Sequence, residues 1–209
     1  TDYNTGNYAD IIRHSWSESS ATAHWRKRPD KKQPFFSIFN LMTSHQSRSM
    51  VWPYERFKKD VQSRLSVNEI HDPTKVPLPP YYPDTPLIRR ELARFYDCVT
   101  AMDKEVGATL QQLEDDGLAD NTIVFFYSDH GNGMPRHKRA LLDSGMHVPL
   151  LIRFPKKWHH IAPGKPGTTT ARLVSFVDYA PTMLSLTGIP IPEAMQGAPF
   201  LGSKVAAPR

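Results

Sequence analysis

Apolar residues along the chain fall into a few dense blocks separated by long polar or proline-rich stretches. The run PFFSIFNLMTS (34–44) is nearly continuous in aromatic and aliphatic side chains, the pattern of a strand buried on both faces. It stops at His45-Gln46-Ser47. Residues 1–34 are polar and irregular, with short amphipathic hints from Tyr8 to Trp16. From 46 to 85 periodicity is weak, and HDPTKVPLPPYYPDTP (71–86) carries six prolines in sixteen residues. Proline has no backbone donor and disfavours helix in the residue before it, so this stretch is expected to be extended.

A long amphipathic helix follows. Thr85 is a suitable N-cap and Pro86 suits a first turn. Leu92, Phe95, Val99, Met102, Val106, Leu110 and Leu113 then recur at spacings of three and four, which puts them on one face. Gly117-Leu118 is a C-terminal stop. NTIVFFYS (121–128) and HVPLLIRFP (147–155) read as strands, and ARLVSFVD (171–178) as a third short strand running into a helix, YAPTMLSLTG (179–188). This alternation predicts an α/β fold: a mainly parallel sheet flanked by helices. Ligands of such sheets collect outside the carboxyl ends of the strands. His45 and Asp129-His130 each lie just past such an end.

Composition narrows the class. With 209 residues and 39% hydrophobic content the chain can bury a sizeable core. No apolar run approaches the ~18 residues of a membrane span. The formal charge is +5, with basic residues bunched in HWRKRPDKK (24–32), RFKKD (56–60), RHKR (136–139) and KKWHH (156–160). Such runs are either solvated turns or an attraction for polyanions. No helix-turn-helix, zinc-finger or RNP-type signature accompanies them, which argues against nucleic acid. A sulfated or phosphorylated substrate fits the charge.

Asp129 beside His130 is a donor pair for a divalent cation, a hard carboxylate oxygen next to an imidazole nitrogen. Taken alone, a solvated turn is the simpler account. Gly131 and Gly133 suit a tight turn or a close backbone approach to a ligand. With a metal present, Lys138 would face an anion bound to it. His45 would then be placed for anion contact or proton transfer to a leaving group. Without one, it is an ordinary loop histidine.

The run from LPPYYPDTPLIRRELARFYDCVTAMDKEVG through SDHGNGMPRHKRALLDSGMHVPLLIRFP (78–155) resembles the type I sulfatases of the alkaline phosphatase superfamily. The start (1–47) is similar to their bacterial heparan N-sulfatase-like branch, and LVSFVDYAPTMLSLTGIPIPEAMQGAPFLG (173–202) continues the likeness. The specific pieces are the Tyr-Asp…Met-Asp helix, the Ser-Asp-His-Gly turn and the Lys-Arg-x-Leu-x-Asp-Ser-Gly segment.

The resemblance implies an alkaline phosphatase-like α/β fold that is incomplete here, residues 1–209 being part of one catalytic domain truncated at both ends. It implies hydrolysis of a sulfuric ester or sulfamate in a sulfated small molecule or glycan. It implies a divalent cation, Ca2+ first and Mg2+ or Mn2+ as alternatives, bound partly by Asp129 and His130. Many family members carry Asn where this chain has His130. Lys138 takes the place of the basic residue on the sulfate, and His45 that of the histidine near the scissile bond. The family nucleophile is formylglycine, made from cysteine in Cys-x-Pro-x-Arg or a close variant such as its serine form. Cys98, followed by Val99-Thr100-Ala101-Met102, is not that cysteine, so the formylglycine is expected outside this segment. Arg136 and Arg139 receive no role. The family setting implies a periplasmic or secreted enzyme. Two alternatives stand beside it: a phosphodiesterase or phosphonate monoester hydrolase of the same superfamily, and a non-catalytic polyanion-binding module.

Overall fold

The computed structural model describes residues 15–207, so the amphipathic segment expected from Tyr8 lies mostly outside the described residues. The elements in order are helix α1 (Tyr54–Asp60), helix α2 (Pro86–Asp115), strand β1 (Val124–Tyr127), the helical turn α3 (Asp143–Met146), strand β2 (Leu150–Arg153) and helix α4 (Tyr179–Thr187). Among the described residues no helix is long and apolar enough to cross a membrane.

Helix α2 forms where its end signals place it. Thr85 is extended, at φ −130° and ψ 153°, and its side chain accepts from Ile88 N–H. At the other end Gly117 sits in the left-handed region at φ +66°. Leu118 N–H then returns to Leu113 O at 2.9 Å and Gly117 N–H to Glu114 O at 2.9 Å, closing off the last carbonyls.

Three apolar clusters are described, and α2 contributes to each. Leu92 and Ala93 pack with Val76, Tyr82 and Met134. Cys98 and Ala101 pack with Phe57 and Val61. Leu113 packs with Trp25 and Ala119. The buried face of α2 also carries Arg94 and Asp97. Asp97 accepts from Gln62 Nε2 at 2.7 Å, His71 N–H at 2.8 Å and His71 Nδ1 at 2.9 Å. Arg94 donates to Arg48 O through Nε (2.9 Å) and Nη2 (2.6 Å), and to Trp52 O at 2.7 Å. Phe95, Val99, Met102 and Val106, on the predicted apolar stripe, are only half-buried.

The sheet departs from expectation. β1 and β2 pair antiparallel, with Val124 opposite Arg153 and Tyr127 opposite Leu150, and no parallel pairing occurs among the described residues. Parallel strands need a crossover that carries the chain back along the sheet. The connection from 128 to 149 instead folds on itself around the single turn α3, so the chain re-enters from the same end. Residues 34–44 form no strand: no neighbour among the described residues offers them a ladder. Phe35 and Phe39 pack on Trp25, at centroid separations of 5.8 and 5.5 Å, while Phe36 and Ile38 stay exposed. At 171–178 a local alternative prevails. Ser175 and Asp178 form a reciprocal capping box that opens a 3-10 turn, Phe176–Asp178, leading into α4.

Phe57, fully buried between α1 and α2, should be the costlier of two test positions. Phe57→Ala is expected to lose about 3–5 kcal/mol of unfolding free energy in urea titration. Val67→Ala, at a residue 87% exposed, should stay within about 0.5 kcal/mol.

Candidate active site

Two segments build the site. One is the loop after β1. Ser128 Oγ donates to His130 O at 2.6 Å and turns the chain as it leaves the strand. Gly131 N–H then donates to Gly145 O at 3.0 Å. The two glycines are required by this contact. A Cβ on Gly131 would drive into Ser144 O, and one on Gly145 into the carbonyls of Ala140 and His137. The Ser-Asp-His-Gly turn and the Asp-Ser-Gly segment are thus two halves of one backbone junction. Between them Arg136 (φ 73°) and Arg139 (φ 67°) are left-handed, the non-glycine positive-φ residues among those described. Each such residue costs roughly 1–2 kcal/mol, and the pair brackets Lys138.

The other segment is the turn after residues 34–44. His45 O accepts from Arg48 N–H (2.9 Å) and Ser49 N–H (3.2 Å), which leads into a π-helical turn, Ser47–Val51. Such turns are rare and often mark functional sites. Gln46 joins the segments: its Nε2 donates to Gly133 O at 3.4 Å, and its Oε1 accepts from Arg139 Nη1 at 3.4 Å. A Cβ on Gly133 would lie 2.8 Å from Gln46 Cγ, so this glycine too is set by close approach.

Across the junction Lys138 Nζ lies 3.4 Å from His45 Nε2. Ser47 N–H donates to His45 Nδ1 at 3.2 Å, and Ser47 Oγ is 2.8 Å from the same atom. Nδ1 is therefore the acceptor, and the neutral ring carries its proton on Nε2. Burial, followed by the charges of Lys138 and Arg48, holds the His45 pKa below the ordinary 6.5. Near neutral pH an imidazole N–H and an ammonium thus converge on one spot, two donors in need of a shared acceptor.

Asp129, exposed, and His130, half-buried, follow β1, and both act electrostatically on His45, Asp129 raising its pKa and His130 lowering it. His130 Nδ1 donates to Gly131 O at 2.7 Å, which leaves Nε2 as the lone-pair nitrogen, 3.4 Å from Asp129 Oδ2. That spacing suits neighbouring ligands on one ion with bonds of about 2.3–2.6 Å. The pair fits one edge of a coordination shell. Among the described residues no cluster of three or more His, Cys, Asp or Glu completes it. Cys98 is fully buried and its thiol is pushed up to about 12 by that burial, which removes it as a nucleophile.

Of the residues expected from sequence, His45, Lys138, Asp129 and His130 come together. Ser47 and Arg48, which set the tautomer and field of His45, were not singled out by the sequence. Their one available signal was position, directly after the carboxyl end of an apolar run. A cavity of about 510 Å³ against α1 and the start of α2, lined in part by Tyr54, Asp84, Arg89 and Arg90, includes none of these residues.

A sequence profile of the family described as Sulfatase matches residues 15–189. The chain belongs to the sulfatase family. It is similar to an ulvan-active sulfatase of Formosa agariphila, 42% identical over 90% of this chain and 34% of that protein. It is also similar to N-sulphoglucosamine sulphohydrolase of Homo sapiens, 36% identical over 60% of this chain and 24% of that protein. With N-acetylglucosamine-6-O-sulfatase of Bacteroides thetaiotaomicron it shares 36% identity over 48% of this chain and 18% of that protein. The chain spans about a third or less of the length of these relatives.

The His45 ring should titrate below 6.5 in a histidine NMR experiment, and Lys138→Ala should move its midpoint upward by removing a neighbouring positive charge. The depressed folded value makes the unfolded chain the stronger proton binder. This histidine's share of stability is therefore present above the unfolded value of 6.5 and is lost as pH falls below it toward the folded pKa. A midpoint unmoved by Lys138→Ala would contradict the assigned contact.

Proposed function

We propose that these residues supply the sulfate-binding side of a sulfuric ester or sulfamate hydrolase acting on a sulfated saccharide. The observation that carries this reading is the approach of Lys138 Nζ to within 3.4 Å of His45 Nε2. Two donors set that close require an anionic oxygen to reconcile them, and a sulfate presents several. The printed names of the relatives, all sulfate-releasing by name, support the same chemistry.

Lys138 holds its charge against the sulfate oxygens on which negative charge accumulates as the bond to the leaving group breaks. His45, neutral with its proton on Nε2, donates to the oxygen or nitrogen at the scissile bond. Ser47 fixes that tautomer through Nδ1. Asp129 and His130 would hold one edge of a divalent cation, Ca2+ first and Mg2+ or Mn2+ as alternatives, which supplies further positive charge when bound. The nucleophile is a formylglycine outside residues 1–209, because the chain's one cysteine is Cys98. In the whole protein β1 and residues 34–44 belong to a larger, mainly parallel sheet. The half-buried apolar stripe of α2 supports this, since it is a face that the described residues cover only in part. A periplasmic or secreted setting goes with the same reading.

In the full-length enzyme with an aryl sulfate, Lys138→Ala should lower turnover roughly 100- to 1000-fold, the cost of one preorganised donor. Arg139→Ala should lose at most a few-fold, with circular dichroism unchanged in both. Equal losses would sink the assignment of Lys138. The 209-residue chain alone should release no sulfate, and turnover by it would show that the nucleophile lies within it.

A further inference from the structure

The arginines sort by partner. Arg26, Arg56, Arg64, Arg89, Arg90, Arg94 and Arg153 each meet a carboxylate. Arg28 donates to Lys31 O, and Arg172 to Phe200 O and Ala206 O. Among the described residues that leaves Arg48, Arg136 and Arg139 with neither a carboxylate nor a backbone carbonyl. All three lie on the two segments that carry His45 and Lys138. Arg48 donates to Ser47 Oγ at 3.4 Å, and its guanidinium lies 4.9 Å from the centre of the Trp52 ring. Arg139 reaches Gln46 Oε1 at 3.4 Å, and Arg136 lies over Tyr81 at 4.8 Å. Arg48 is close enough for its charge to depress His45.

This is more positive charge than a single sulfate group needs. A sulfate monoester carries one negative charge, which Lys138 balances even before a cation held by Asp129 and His130 is added. Three guanidinium groups remain, held by aromatic faces and weak neutral contacts, with fork-shaped donor sets that match the oxygens of a carboxylate or sulfate. Two of them also stand on left-handed backbone, and strain of that kind is retained where a site gains from it. The neutral arrangement would be an Asp or Glu beside each, as seven other arginines of the described residues have.

Resting on the sulfatase reading above, we infer that Arg48 and Arg139, with Arg136 beside them, form a second anion subsite adjoining the sulfate position. It takes a further anionic substituent of the same saccharide, so the substrate class is a polyanionic sulfated glycan rather than a singly sulfated neutral sugar. The subsite contributes affinity and selection, and Lys138 and His45 remain the groups on the sulfate itself.

The test uses the full-length enzyme and three disaccharides with the same sulfated ring. One has a uronate neighbour, one its carboxyl-reduced counterpart, and one a neutral neighbour bearing a second sulfate. Wild-type kcat/KM should favour an anionic substrate over the reduced one by about tenfold or more, mostly through KM, the size expected of one charge-assisted contact. The preference should shrink as salt rises. Whichever anionic arm is preferred tells carboxylate from sulfate. Arg48→Gln and Arg139→Gln should each pull that ratio toward one, with unchanged circular dichroism, while Lys59→Gln on α1 leaves it alone. A wild-type ratio near one, with the reduced substrate still turned over, overturns the subsite and leaves the sulfatase reading standing. So does a ratio that neither substitution moves. Release of sulfate from none of the three overturns both.

Discussion

A buried guanidinium holds this structure together at the point where it matters for the site. Arg94, 3% exposed, spends its donors on the carbonyls of Arg48 and Trp52 and lies over the Phe57 ring at 4.8 Å. Burying a charge is costly unless its donors are satisfied. Glu91, 3.6 Å from Nη1, offsets part of the charge. The acceptors are the open carbonyls around a π-helical turn that a regular helix would have closed internally. The irregular turn and the buried arginine each need the other. Because His45 O accepts the bonds that lead into the turn, the long helix fixes one wall of the site from behind.

The opposite wall depends on close approaches at glycine, with side-chain bonds such as Ser128 Oγ to His130 O and Ser144 Oγ to Arg136 O around them. Gly131 against Gly145, and Gly133 against Gln46, are approaches that any side chain would block. The motif residues around them thus divide into two kinds. The glycines let the segments meet, and His45, Lys138, Asp129 and His130 occupy the meeting place. This explains why the motif is spread over two stretches of sequence nearly a hundred residues apart and still describes one object.

What could be read from the sequence was what is decided locally. Thr85, Pro86 and Gly117 mark the ends of α2 through bonds made within a few residues, and the structure follows them. The candidate residues were legible because a histidine or an Asp-His pair ending an apolar run is conspicuous by position. Strand pairing was not legible, since it depends on which segment comes alongside. PFFSIFNLMTS has the composition of a buried strand, yet with no strand alongside it among the described residues it stays irregular, with Phe35 and Phe39 resting on Trp25. The direction of β1 against β2 was set by the short path from 128 to 149, which a count of alternating elements does not register. Asp97 and Arg94 could not be anticipated as core either. Their burial is paid for by partners at Gln62, His71, Arg48 and Trp52, distant in sequence.

The single thiol of the chain sits at the seam between α1 and α2, beside Phe57 and Val61 and out of reach of water. Thiolate is the reactive species, and burial suppresses it in the closed structure. Modification by an alkylating reagent must wait for that seam to part. The chain thus carries its own clock for local opening: the rate at which Cys98 is labelled under native conditions measures how often α1 lifts from the helix that positions the site.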